Sequence, residues 1–135
     1  MSAIMLTIFV NAQNNVVLTV TPDTLTKVET EYFVIGPLTN TYSSLAIQTL
    51  YTQLGGTSDG TATLQVSLDG TSYSPVIDGT YDEIFFRGDD DTLTINNGDI
   101  WNIEIKNPSY PYYRIAAVGT VNDTTLITTK YIYKR

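Results

Sequence analysis

The sequence predicts an all-β domain: an antiparallel β-sandwich of about eight to nine strands, Ig-like or jelly-roll-like. Three observations carry that expectation. Apolar residues recur with a period of two along most of the chain, and no stretch repeats every 3.6 residues. The composition suits pleated, half-buried surfaces, with 22 Thr, 10 Tyr and many Val and Ile. Turn residues interrupt the alternation about every eight to twelve residues. At 135 residues the chain is the size of one domain, read here as residues 1–135. A closed barrel is the second architecture such a pattern allows.

The elements follow in order. Residues 1–12 form an apolar N-terminal strand or docking arm. Both parities are apolar from Ile4 to Val10, so both faces need cover, either from two layers of the domain or from a neighbouring subunit. Ile4, Leu6, Ile8 and Phe9 are the docking residues on the second reading. The segment is not read as a signal peptide, because the first Lys is Lys27, and it is too short to span a bilayer. Val16 to Val20 alternate after the Asn14-Asn15 turn, and Pro22-Asp23 closes that strand. Val28 to Val34 alternate until Gly36-Pro37, and Leu45 to Tyr51 form the next strand.

Ala62, Leu64, Val66 and Leu68 alternate with Thr63, Gln65 and Ser67, and Asp69-Gly70 follows at once. Asp-Gly after an alternating strand signals a hairpin, since Gly takes positive φ with no Cβ to clash. Ser74-Pro75 marks the return. Ile84 to Phe86 and Leu93 to Ile95 are brief strands. Trp101, Ile103 and Ile105 alternate with polar residues, which puts the single Trp on a core face. Asn107-Pro108 and Tyr110-Pro111 break the chain, and Tyr110-Pro111 is the better candidate for a cis bond. Tyr113, Ile115 and Ala117 oppose Tyr112, Arg114 and Ala116, and the last strand alternates from Leu126 to the last residue, Arg135.

Composition removes several chemistries. There is no Cys and no His, which excludes disulfides, thiolate sites and imidazole general bases. The net charge of −7 opposes a phosphate backbone, so nucleic acid is not an expected partner, and neither is a membrane. Only four Glu are present, and Glu29 and Glu31 share a strand face where they act as solubilising charges; no credible acid/base pair for a hydrolase emerges. No enzymatic activity and no cofactor are expected. Asp89-Asp90-Asp91 is read first as a solvated acidic turn, and secondly as a calcium site, although an EF-hand register is absent.

Tyr42, Tyr51, Tyr73, Tyr81, Tyr110 and Tyr112 lie near turns or strand ends. Tyr offers broad contact area at small entropic cost, so Tyr73, Tyr110 and Tyr112 are candidate partner-binding residues. Lys130, Lys134 and Arg135 place three of the seven positive charges on the last strand, where they would discourage edge-to-edge pairing.

Two sequence patterns resemble those of virion structural proteins of tailed bacteriophages. The first is Gly60-Thr-Ala-Thr-Leu-Gln-Val-Ser-Leu-Asp-Gly-Thr-Ser-Tyr-Ser74. The second is Tyr112-Tyr113-Arg114-Ile115 with the basic end Tyr133-Lys-Arg135. Leu68 stands where Asn is common in such proteins, and Tyr73 where Trp is common. The resemblance implies a small β-sandwich in the particle, made in the host cytoplasm and located in the virion. The member class that fits one short domain is a capsid auxiliary or decoration protein that binds capsid or tail subunits, copies of itself included. The alternative is a receptor- or carbohydrate-binding module of a phage tail or fibre.

Overall fold

A computed structural model describes residues 16–26, 28–56, 60–76, 84–87, 92–120 and 124–135. The docking residues Ile4, Leu6, Ile8 and Phe9, the acidic run Asp89–Asp91 and Tyr81 lie outside the described residues. The strands are β1 (Leu18–Thr19), β2 (Asp23–Thr26), β3 (Thr30–Ile35), β4 (Ser44–Gln53), β5 (Gly60–Ser67) and β6 (Ser74–Pro75). They continue as β7 (Ile84–Arg87), β8 (Thr92–Thr94), β9 (Ile100–Lys106), β10 (Tyr112–Gly119) and β11 (Thr124–Lys134). The fold is an all-β antiparallel sandwich, as the alternation predicts. Its strands outnumber the expected eight to nine because β1 and β6 are two residues long, too short to display a period.

One sheet has the order β1-β11-β4-β9-β7, with β2 also paired to β11; the other has the order β3-β10-β5-β6, with β8 also paired to β5. Hydrogen-bonded neighbours are antiparallel throughout. The spine of the first sheet is the pairing of β4 with β11, which runs from Thr125↔Gln53 to Lys134↔Ser44. The last strand is therefore interior, flanked by β4 on one side and by β1 and β2 on the other. This corrects the expectation of a free edge at Lys130, which has strand partners on both sides, while Lys134 is paired to Ser44 of β4.

The inner faces supply the core. Leu45, Ile47 and Tyr51 of β4, Trp101, Ile103 and Ile105 of β9 and Ile127 of β11 meet Phe33, Leu64, Val66, Tyr113 and Ile115 of the facing sheet. Trp101 is fully buried, as its parity predicts, and its ring stacks on Phe86 at 5.5 Å between centroids. Tyr51 and Tyr42, which the sequence places near a strand end and a turn, are buried. Tyr51 is fully buried and accepts a 3.0 Å hydrogen bond from Thr49 Oγ1; Tyr42 is 7% exposed, with its ring 4.3 Å from that of Tyr133. Position near a turn does not decide exposure when the parity is inward. Glu31 departs from its reading as a solubilising charge. It is half-buried, and burial first, then the charges of Asp23 and Glu29, lifts its carboxyl above the usual range.

The cis peptide bond is Gly36–Pro37 and not Tyr110–Pro111. Gly36 has φ 123°, and a Cβ there would lie 2.5 Å from the Pro111 carbonyl oxygen. Leu38 N donates to that same oxygen at 2.8 Å, so the two Pro-containing segments lie side by side.

Candidate interaction site

β10 is an interior strand of its sheet, with β3 on one side and β5 on the other. Its inward residues fill the core, so Tyr112, Arg114, Ala116 and Val118 have the outward parity. Arg114 lies opposite Val34 of β3 and Gln65 of β5 in the register. That register explains its first contact: Arg114 Nε donates to Gln65 Oε1 at 2.6 Å. Its other contacts are aromatic. The guanidinium carbon is 3.8 Å from the ring centroid of Tyr32 and 3.7 Å from that of Tyr73. Tyr32 comes from β3 and Tyr73 from the loop between β5 and β6, so the two rings approach from opposite sides of β10. A cation against an aromatic face contributes about 0.5–1 kcal/mol when exposed and about 2 kcal/mol when desolvated.

The predicted hairpin positions Tyr73. Asp69 Oδ1 accepts hydrogen bonds from Thr71 N and Ser72 N, both at 2.8 Å, and from Ser67 Oγ at 2.9 Å. Ser67 Oγ in turn accepts from Gly70 N at 3.0 Å. The backbone N–H of Ser72, then that of Thr71, then the Ser67 hydroxyl, hold the Asp69 carboxyl down to about 2. Gly70 has φ 76°, and a Cβ there would come within 2.9 Å of Tyr112 Cζ. The ring of Tyr112 therefore lies on the turn itself, and Gly70 is required by both backbone conformation and close approach.

Tyr32 is 49% exposed, Val34 42% and Val118 38%, so the Arg114 cluster sits among open apolar side chains. Of the partner-binding candidates named from sequence, Tyr73 and Tyr112 belong to this face. Tyr110 does not: its ring meets Tyr113 edge-on at 6.4 Å and packs against the core. Tyr32, Gln65 and Arg114 were not selected from sequence. A clue was present, since among the described strands of this sheet Arg114 is the only Lys or Arg, and the sequence sets it on the face opposite Tyr113 and Ile115.

The opposite face, across β4, β9 and β11, carries a groove of about 720 Å³. Its floor includes Ala46 and Ile132, and its two amides are bonded to one another, Gln48 Nε2 to Asn102 Oδ1 at 3.0 Å. Among the described residues, no three Asp or Glu side chains converge as metal ligands, and no helix is long and apolar enough to cross a membrane.

Fold and face together define an antiparallel β-sandwich with an arginine held between tyrosines on one outer sheet surface. The chain is similar in fold to the PBSX exported protein XepA, with a TM-score of 0.57 at 13% identity, over 88% of this chain and 37% of that one. It is also similar to the SPBc2 prophage-derived protein YomS, with a TM-score of 0.50 at 10% identity, over 87% of this chain and 91% of that one. A third likeness is to the enzymatically active domain of bacteriophage CBA120 tailspike protein 4, with a TM-score of 0.51 at 12% identity, over 93% of this chain and 20% of that one. The structural neighbours thus include phage-derived proteins, and at these identities what is shared is the fold. This chain spans little more than a third of the length of XepA. No protein-family model matches the chain, and no curated protein matches it in sequence.

Proposed function

We propose that this domain is a non-catalytic structural component of a bacteriophage particle, of the capsid auxiliary or decoration class. It binds neighbouring virion subunits through the outer face of the β3-β10-β5-β6 sheet. One observation carries the reading: Arg114 is already fixed between Tyr32 and Tyr73, opposite exposed Val34. Tyr and Arg dominate the energetics of protein interfaces, and side chains ordered before binding lose less entropy when a partner arrives. Such a surface binds rather than reacts. The resemblance of the Gly60–Ser74 hairpin to phage virion proteins supports the virion setting, and that hairpin supplies Tyr73.

Stoichiometry on purified particles of a phage encoding this chain tests the proposal. Quantitative mass spectrometry is expected to find on the order of hundreds of copies, the number a repeating capsid lattice demands. About a dozen copies or fewer would move the protein to the tail or neck, where receptor binding becomes the better reading. Absence from washed particles would overturn the virion assignment.

A further inference from the structure

We propose that Arg114 is a carboxylate-binding site, and that its ligand is an Asp or Glu side chain on the partner protein. This rests on the reading of the same face as an interface and names the chemistry it recognises.

A guanidinium has two faces and a rim of N–H donors. In this chain the ring faces of Tyr32 and Tyr73 both lie against it, and Gln65 takes the Nε donor. Among the described residues nothing bonds the Nη groups, which form the in-plane edge. Among the described residues no carboxylate pairs with Arg114. A planar fork fixed in orientation matches a carboxylate through two parallel, charge-assisted hydrogen bonds. The stacked rings also displace water from the guanidinium, which strengthens an ionic hydrogen bond made at its edge.

The surroundings favour a protein ligand over a sugar acid. Tyr32 and Tyr73 each turn a ring face to Arg114, and the Tyr112 ring lies on Gly70, so they do not form a coplanar platform for a pyranose. Val34, opposite Arg114 in the register, is exposed and aliphatic, and Val118 lies further along the same outward face of β10; both suit the apolar flank of a peptide segment. The chain carries a net charge of −7, which repels an acidic partner at long range, so recognition is set by contact rather than steering.

The test uses the full-length chain labelled with nitrogen-15 and follows the side-chain Nε–Hε signal of Arg114. The probe is glutamate blocked as N-acetyl and N-methylamide, with the equivalently blocked glutamine as control. The glutamate probe is expected to shift the Arg114 signal saturably, with an affinity of about millimolar. The glutamine probe is expected to bind at least about tenfold more weakly. Arg114→Lys keeps the charge and loses the fork, so backbone shifts at Gln65 and Tyr73 should then need about tenfold more probe.

An unshifted Arg114 signal, an equal response to glutamine, or undiminished binding by Arg114→Lys would overturn the site. Glucuronic acid binding more tightly than the glutamate probe would overturn the assignment to a protein ligand in favour of an acidic sugar. The titration needs no particle. A positive titration with a chain absent from particles would therefore sink the virion reading alone, and a negative one with an abundant chain would sink the carboxylate site alone.

Discussion

The guanidinium carbon of Arg114 lies 3.7 Å from the ring centroid of Tyr73, and this contact joins the middle of an interior strand to a hairpin loop. Turn geometry, strand register and surface chemistry meet in that pair. The Asp69 turn fixes where Tyr73 stands, and the β10 register fixes where Arg114 points.

A double-mutant cycle of Tyr73→Ala with Arg114→Met should give a coupling of about 0.5–1 kcal/mol in urea unfolding. The same cycle with Thr61→Ala, an exposed position elsewhere on the sheet, should give none. Additive effects of Tyr73 and Arg114 would mean that the stack contributes nothing in solution.

Gly70→Ala should lower stability by about 1–2 kcal/mol, because Ala resists positive φ and its Cβ meets the Tyr112 ring. Gly98 also has positive φ, at 83°, but a Cβ there meets nothing within 4 Å. Gly98→Ala should therefore cost less than Gly70→Ala. Thermal unfolding of the two variants checks the ordering.

The Asp69 carboxyl is lowered from 3.8 to about 2 in the folded chain. In the unfolded chain it takes up a proton as the pH falls below about 4, while the folded chain resists until about 2. Its contribution is complete above that window and disappears progressively as the pH falls through it. Asp69→Asn should remove this part of the acid dependence, so the parent and variant stability curves converge towards pH 2. Parallel curves across the window in urea titrations would contradict the assignment.

Thr129 and Thr49 are both fully buried, but their hydroxyls differ. Among the described residues Thr129 Oγ1 has no hydrogen-bond partner, whereas Thr49 Oγ1 donates to the buried Tyr51 hydroxyl at 3.0 Å. Thr129→Val should stabilise the chain by about 1 kcal/mol, since an unsatisfied buried hydroxyl costs about 1–3 kcal/mol. Thr49→Val should destabilise it by a similar amount, because Tyr51 loses its donor. Equal signs for the two substitutions in chemical denaturation would refute the hydrogen-bond assignment.

Period-two alternation exposed the β-class directly, because a strand sends successive side chains to opposite faces. It also placed Trp101 in the core and set Arg114 on the strand face opposite Tyr113 and Ile115. The Asp69-Gly70 hairpin was equally legible, since its signal is local and rests on one residue that tolerates positive φ. Tyr73 was visible as a loop aromatic beside that turn.

The rest depended on relations between distant residues. Tyr51 sits close to a turn, yet its inward parity in β4 buries it, and only the facing sheet reveals which parity is inward; Tyr42, outside any strand, is buried against Tyr133. The last strand reads as an edge until its partners on both sides are known. Tyr32 and Arg114 are far apart in the chain and carry no shared motif.

By itself, the sequence determined the strand class, the alternation of faces and the hairpin, because these are set by steric preferences within a few neighbouring residues. Only the tertiary structure decided the sheet order, the interior place of β11 and the meeting of Tyr32, Arg114 and Tyr73. Strand pairing is selected by burial of the whole core, and no local preference encodes which strand lies beside which.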